Sequence, residues 1–270
     1  MKGRVLIIAG SDSGGGAGIQ ADIKAVTALD AFAMTAITAL TAQNTLGVQG
    51  VHPVPVDFLR LQIRSVVDDL GVDAIKTGML GDAATIDAVV DELTRLPNVP
   101  VVIDPVMVAK GGYKLLADAA VDHLRRTLLP RATVLTPNLP EAELLTGMTI
   151  ATEADMQRAA RMLLSFGVPA VLLKGGHLDS PDVVDLLATA DGVQEFRSER
   201  LRTRHTHGTG CTLASAVAAG LAQGMTLADA VARARRYVFQ AIATAPGFGA
   251  GHGPLNHAVT VDPERLVRLA

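Results

Sequence analysis

Short β-branched runs alternate with amphipathic stretches along the whole chain, and this alternation is the strongest constraint on its fold. Residues 5–9, 74–76, 101–103, 133–135 and 170–173 read as short buried strands, and 34–40 is a further apolar run. Between them, residues 19–29, 58–70, 83–96, 117–129, 153–166, 211–223 and 227–243 read as helices. In the second of these, Phe58, Leu59, Ile63, Val66 and Leu70 return at helical spacing. Thr152 is placed to cap the helix at 153–166, and Gly167 to end it. Residues 183–187 and the region of 195–196 read as a hairpin. Strands separated by helices pair in parallel, because each helix carries the chain back across the sheet. The expectation is one α/β domain over residues 1–270, a mostly parallel sheet with helices on both faces.

In such sheets ligands bind at the carboxyl ends of the strands, and the unusual residues stand there. Gly10-Ser11-Asp12-Ser13-Gly14-Gly15-Gly16-Ala17-Gly18 joins a strand to a helix. Its glycines let backbone N–H groups approach an anion or a ring, and a plain turn would need fewer of them. It lacks the Gly-Lys-Ser/Thr ending of a P-loop, and Ile19 occupies the third glycine position of a dinucleotide fingerprint.

The turn His207-Gly208-Thr209-Gly210-Cys211 opens a helix of small residues. A helix N-terminus offers unpaired N–H groups and a positive dipole end, which suits charge developing on a transferring phosphoryl group. The same end is expected to lower the pKa of Cys211, so that the sulfur can take a proton from an attacking hydroxyl. A lone cysteine is more often a small core residue; the position directly behind Gly-Thr-Gly favours a functional one. Asp104, Asn138, Glu141 and Glu143 follow strands and supply oxygen ligands suited to Mg²⁺. Glu141 and Glu143 fit equally well as first-turn acids that complement a helix dipole. Lys174, ahead of two glycines, can reach an ATP phosphate or simply be a solvated strand-end lysine. His205, His207 and Cys211 make a nominal metal trio, but without His-Glu-x-x-His or a second cysteine the case for zinc is weak. No Gly-x-Ser-x-Gly elbow points to a serine hydrolase.

Composition narrows the class further. Apolar residues at 49% exclude general disorder, and a net charge of -3 lacks the basic stripe that nucleic-acid binding requires. One cysteine excludes an intrachain disulfide and suits a reducing compartment. The apolar run at 5–9 is too short for a signal peptide, and no stretch is long enough to span a bilayer. A cytoplasmic protein with no nucleic-acid or membrane partner is expected.

Taken in order, these motifs resemble the ribokinase-like superfamily, and within it the hydroxymethylpyrimidine/phosphomethylpyrimidine kinases of thiamine biosynthesis. The resemblance runs through Gly10-Ser11-Asp12, Gly18-Ile19-Gln20-Ala21-Asp22, Thr41-Ala42-Gln43-Asn44, Lys76-Thr77-Gly78-Met79, Asp104-Pro105-Val106-Met107, Thr136-Pro137-Asn138-Leu139-Pro140-Glu141, Lys174-Gly175-Gly176-His177 and Thr206-His207-Gly208-Thr209-Gly210-Cys211. It implies a three-layer αβα sandwich with a small lid, here at residues 109–112, and a homodimer. It implies Mg²⁺ and ATP, and two successive phosphorylations: of hydroxymethylpyrimidine, then of its monophosphate. By position, Gln43 would bond the aminopyrimidine edge, and Gly10, Ala17, Asp22, Met79 and Val106 would line its pocket. Gly208, Thr209 and Gly210 would form the anion hole, with Cys211 as the base. Asn138 and Glu141 match an Mg-associated Asn-x-x-Glu element, Asp104 is a further candidate for water-mediated Mg²⁺, and Lys174 would lie near the phosphates. Many sugar kinases of the superfamily carry Asp where Cys211 stands, which points toward the pyrimidine branch. Pyridoxal kinases that share the cysteine are the nearest alternative, and a non-catalytic pyrimidine sensor is a second.

Overall fold

The computed structural model describes residues 1–108, 112–113 and 115–262. In chain order the strands are β1 (Arg4–Asp12), β2 (Phe32–Asn44), β3 (Gly47–Pro53), β4 (Ala74–Thr77), β5 (Val101–Ile103), β6 (Val134–Leu135), β7 (Ala170–Leu173), β8 (Asp182–Thr189) and β9 (Gly192–Glu199). The helices are α1 (Gly18–Ala28), α2 (Val56–Leu70), α3 (Ala83–Thr94), α4 (Asp118–His123), α5 (Leu139–Thr146), α6 (Glu153–Leu164), α7 (Thr209–Ala222) and α8 (Leu227–Ala243). All nine strands join one sheet in the order β3-β2-β1-β4-β5-β6-β7-β8-β9. The six from β2 to β7 run parallel, and β3 and the β8–β9 hairpin close the two edges antiparallel.

The residues of β1 show why the molecule is layered. Val5, Ile7 and Ala9 face one way, Leu6 and Ile8 the other, and all five are buried. A strand covered on both faces reads as an unbroken apolar run. The first face packs against α1, α7 and α8, and the second against α2, α3, α5 and α6. Each fully buried Val, Leu or Ile contributes roughly 1.5–3 kcal/mol. The result is the three-layer, ribokinase-like αβα sandwich that the alternation and the motifs implied.

Four elements depart from expectation. The helix expected at 117–129 is α4 followed by a π turn, Leu124–Leu128, and a 3-10 turn, Leu129–Arg131. Pro130 has no N–H to continue an α ladder, so the hydrogen-bond register changes before it. The helix expected from 211 begins two residues earlier, which puts Gly210 and Cys211 in its first turn. β3 and α5 had no counterpart in the strand and helix assignments. The expected lid at 109–112 lies, apart from Gly112, outside the described residues.

β1 is flanked by β2 on one side and β4 on the other. Strand order reverses there, which opens a crevice at the carboxyl ends. The Gly-rich loop leaves β1 at that point and Gly78 and Met79 leave β4.

Candidate active site

A cavity of about 460 Å³ occupies this crevice. Gly10, Ala17, Gln43, Met79, Val106, Asp104, Asn138, Glu141, Lys174 and the turn from Gly208 to Cys211 all line it. Residues from opposite ends of the chain thus meet in one place.

One end is the anion turn. Gly208 caps α7 in the left-handed region, φ 82, and no side chain caps this end. A Cβ on Gly208 would run into the carbonyl oxygen of Gly16, so the turn and the Gly-rich loop are packed backbone to backbone. A Cβ on Gly210 would sit 3.1 Å from Lys174 Nζ, which places that ammonium directly over the helix N-terminus. Lys174 follows β7 and pairs with Asp104 Oδ1 at 2.9 Å; Thr136 Oγ1 donates to the same oxygen at 3.2 Å. Burial opposes the Lys174 charge, but Asp104 and Glu141 outweigh it and hold the ammonium above its usual pKa.

Asn138 and Glu141 form a reciprocal capping box at the start of α5. Asn138 N–H donates to Glu141 Oε2 at 2.8 Å, and Glu141 N–H donates to Asn138 Oδ1 at 2.9 Å. Burial, reinforced by the Asp104 charge against the opposing pull of Lys174, raises the Glu141 carboxyl to about 7. Among the described residues no cluster of three or more His, Cys, Asp or Glu could hold a metal, which removes the zinc trio. Mg²⁺ asks for less. It keeps most of its waters and needs only one or two carboxylates beside a phosphate, and the Asp104–Glu141 pair fits that demand.

The sequence assigned Asp22 to the ligand wall, and the structure corrects this. Ile19, Asp22 and Val26 share the inward face of α1, so Asp22 points beneath the cavity rather than into it. There it receives Lys76 Nζ at 2.8 and 3.0 Å and Ser215 Oγ at 2.7 Å, all fully buried. Burial opposes the Lys76 charge as well, but Asp22 more than offsets it and the ammonium is retained.

Cys211 is where the expected sign fails. Burial pushes its thiol up to about 12; Lys76 opposes this, while the Asp22 and Asp104 charges reinforce it. Desolvation and two carboxylates therefore outweigh Lys76 and the Gly18 N–H bond, and the thiol is protonated at neutral pH.

At the other end, Gln43 faces Met79, Val106 and the Gly-rich loop. Asp12 anchors that loop by accepting from Gly14 N at 2.8 Å, Gly16 N at 3.1 Å and Ala17 N at 2.8 Å. His207 Nε2 lies 2.9 Å from Asp12 Oδ2. Burial would raise the Asp12 carboxyl, yet His207 and the loop N–H groups together hold it below the usual carboxylate range. Asp12 and Lys76 carry no assignment from the sequence, and His207 enters there as the first residue of the anion turn and a nominal metal candidate, not as a partner of Asp12. Asp12 and His207 stand 195 residues apart in the chain, so only the fold reveals them as a pair.

Residues 12–256 match the family described as phosphomethylpyrimidine kinase. A hydroxymethylpyrimidine/phosphomethylpyrimidine kinase of Streptomyces coelicolor is 52% identical over 253 residues, covering 94% of this chain and 93% of that protein. The chain belongs to the phosphomethylpyrimidine kinase family. Another relative, the thiamine biosynthesis bifunctional protein ThiED of Geobacter sulfurreducens, is 52% identical over 264 residues, and this chain spans 54% of its length. Among solved structures, an ADP complex of Bacillus subtilis pyridoxal kinase matches over 100% of both chains with a TM-score of 0.89 at 37% identity. This chain thus shares its fold, over its full length, with a pyridoxal kinase.

Proposed function

We propose that this chain transfers a phosphoryl group from ATP to the hydroxymethyl group of 4-amino-5-hydroxymethyl-2-methylpyrimidine, and then to the resulting monophosphate, in thiamine biosynthesis. The observation that carries this reading is the pairing, in one cavity, of an uncapped helix N-terminus beside Lys174 with a ring-sized wall of Gly10, Ala17, Met79 and Val106 next to the Gln43 amide. The first end is built for charge on a phosphoryl group. The second is built for a flat ring with a polar edge.

Positioning and charge stabilisation dominate such a transfer. Gln43 would hold the ring while Gly10, Ala17, Met79 and Val106 enclose it, so that the hydroxyl points toward the turn. The N–H groups at Gly208, Thr209 and Gly210 and the Lys174 ammonium would receive the charge of the moving phosphoryl group. Cys211 is the proposed proton acceptor for the hydroxyl. It can take that proton only as the thiolate, which the nearby Lys76 ammonium favours, because a thiol near 12 already holds its own proton at neutral pH. Asn138 would stand beside the nucleotide. Mg²⁺, held through water by Asp104 and Glu141, would supply neutralising charge to the phosphates.

The test is product mass after incubation with the pyrimidine and Mg-ATP. Monophosphate followed by diphosphate is expected, and ADP release with no phosphorylated pyrimidine sinks the reading. The pyridoxal kinase fold match supports one rival, so kcat/KM is compared for the pyrimidine and pyridoxal; preference for pyridoxal reverses the assignment. Failure to form ADP with either favours the sensor. A homodimer is proposed on the family resemblance, with sedimentation as its check. No described helix is long and apolar enough to cross a membrane, and a cytoplasmic location is proposed with it.

A further inference from the structure

Five groups at the ring end of the cavity form a chain of contacts whose protons can be counted. Asp12 accepts from three loop N–H groups and lies 2.9 Å from His207 Nε2. The same His207 nitrogen lies 3.3 Å from the amide of Gln43. The far end of that amide lies 3.2 Å from Thr41 Oγ1, and Thr41 Oγ1 lies 2.9 Å from the Ser11 carbonyl oxygen. His207 is held from behind, because its backbone N–H donates to Gly253 O at 3.1 Å.

An ionised carboxylate only accepts, so the His207 nitrogen that faces Asp12 carries a proton. With the amide nitrogen of Gln43 toward His207, two donors would face each other. The single Thr41 proton would also have to serve both Ser11 and Gln43. A half-turn of the amide exchanges two atoms of nearly equal size and relieves both conflicts. Thr41 then donates to Ser11, Gln43 donates one N–H to Thr41, and His207 Nε2–H lies between Asp12 and the Gln43 oxygen. The amide hydrogen left over is the second N–H of Gln43.

We propose that His207, oriented by Asp12, is a positioning residue that fixes the Gln43 amide so that it presents an N–H donor to the ligand, selecting rings with an unprotonated nitrogen at that edge. This rests on the pyrimidine-kinase reading above, and it adds a direction to the contact: Gln43 reads a ring nitrogen, not an exocyclic amine. A ring that offers a protonated nitrogen there would meet donor against donor.

Two experiments test it. The ¹⁵N spectrum of histidine-labelled protein, with the His207 signals assigned by their loss in His207→Gln, reads the proton directly and needs no substrate. A protonated Nε2 is expected, and the neutral tautomer protonated only at Nδ1 overturns the proposal. Because this readout is independent of turnover, it stands even if the product assay fails. In kinetics, His207→Leu is expected to raise KM for the pyrimidine roughly tenfold while kcat stays within about threefold. His207→Gln restores an N–H donor and should recover most of that loss. An unchanged KM in His207→Leu, or a loss confined to kcat, refutes the positioning role. Should His207→Leu fail to fold, Gln43→Glu keeps the acceptor toward His207 and removes the donor toward the ring; its KM must rise similarly, and an unchanged KM overturns the proposal.

Discussion

The chain has one cysteine, so alkylation reports on Cys211 alone. Its thiol is pushed to about 12. At pH 8 a group with that pKa is about one part in ten thousand thiolate, against about a quarter for an ordinary thiol near 8.5. A more basic thiolate is also a better nucleophile, by roughly thirtyfold over this interval at a Brønsted slope of about 0.4. The net expectation is reaction with iodoacetamide about a hundred times slower than a free thiol at pH 8. The pH dependence is the sharper criterion, because restricted access to the cavity lowers the rate equally at every pH. The rate should climb about tenfold per pH unit from 7 to 10 without levelling. A plateau below pH 9.5 would show that the helix end and Lys76 outweigh burial and both carboxylates. It would restore a standing thiolate, ready to take the hydroxyl proton at neutral pH.

Three further outcomes follow from the same contacts. Lys76→Met strands the buried Asp22 carboxylate and should cost about 3–5 kcal/mol in urea unfolding, with most of the loss recovered by adding Asp22→Asn; a loss below 1 kcal/mol would contradict the buried pair. His257 is buried, its Nε2 lies 2.9 Å from Thr212 Oγ1, and burial lowers its pKa to about 4. The unfolded chain therefore binds the proton first, so about 3 kcal/mol of stability should be lost as pH falls from about 6.5 to 4. Glu141, raised to about 7, gives the opposite slope between about 4.5 and 7, so the measurement is the difference between parent and His257→Gln. Thr152→Ala removes the capping box at α6 and should cost about 1 kcal/mol in the urea midpoint analysis with kcat/KM unchanged.

The fold was legible because both faces of the central strands are buried. That forces continuous apolar runs such as Val5–Ile8, and helices between them with one apolar side. β3 escaped because most of its residues are exposed or half-exposed, glycines interrupt it, and no alternating apolar face marks it. α5 is preceded by its cap Asn138 and carries a proline inside its first turn, which reads as a turn unless Asn-x-x-Glu is recognised as a capping box. The position of residues beside glycines or at strand ends was legible as well, since chain geometry alone places them at the crevice. Asp22 was not, because its orientation depends on which face of α1 meets the sheet. The ionisation of Cys211 was not legible either: the helix end is local and visible in sequence, but the charges that oppose it come from α1 and from the end of β5, far along the chain.

The anion turn is also tied to the far end of the described chain. His207 N–H bonds Gly253 O, Thr212 meets His257, and Tyr237 O–H donates to the His257 carbonyl at 2.8 Å. The rest of the cavity lining reaches back along the chain to the Gly-rich loop after β1. During synthesis on a ribosome, the ring end and its loop are made first and must wait for nearly 250 further residues. A growing chain therefore holds no complete, braced site until the residues near 253–257 have emerged, and neither nucleotide nor pyrimidine can template the folding of what precedes them. Both ligands stabilise only chains that have reached that point, so protection against heat or proteolysis should be absent from nascent chains stalled short of it.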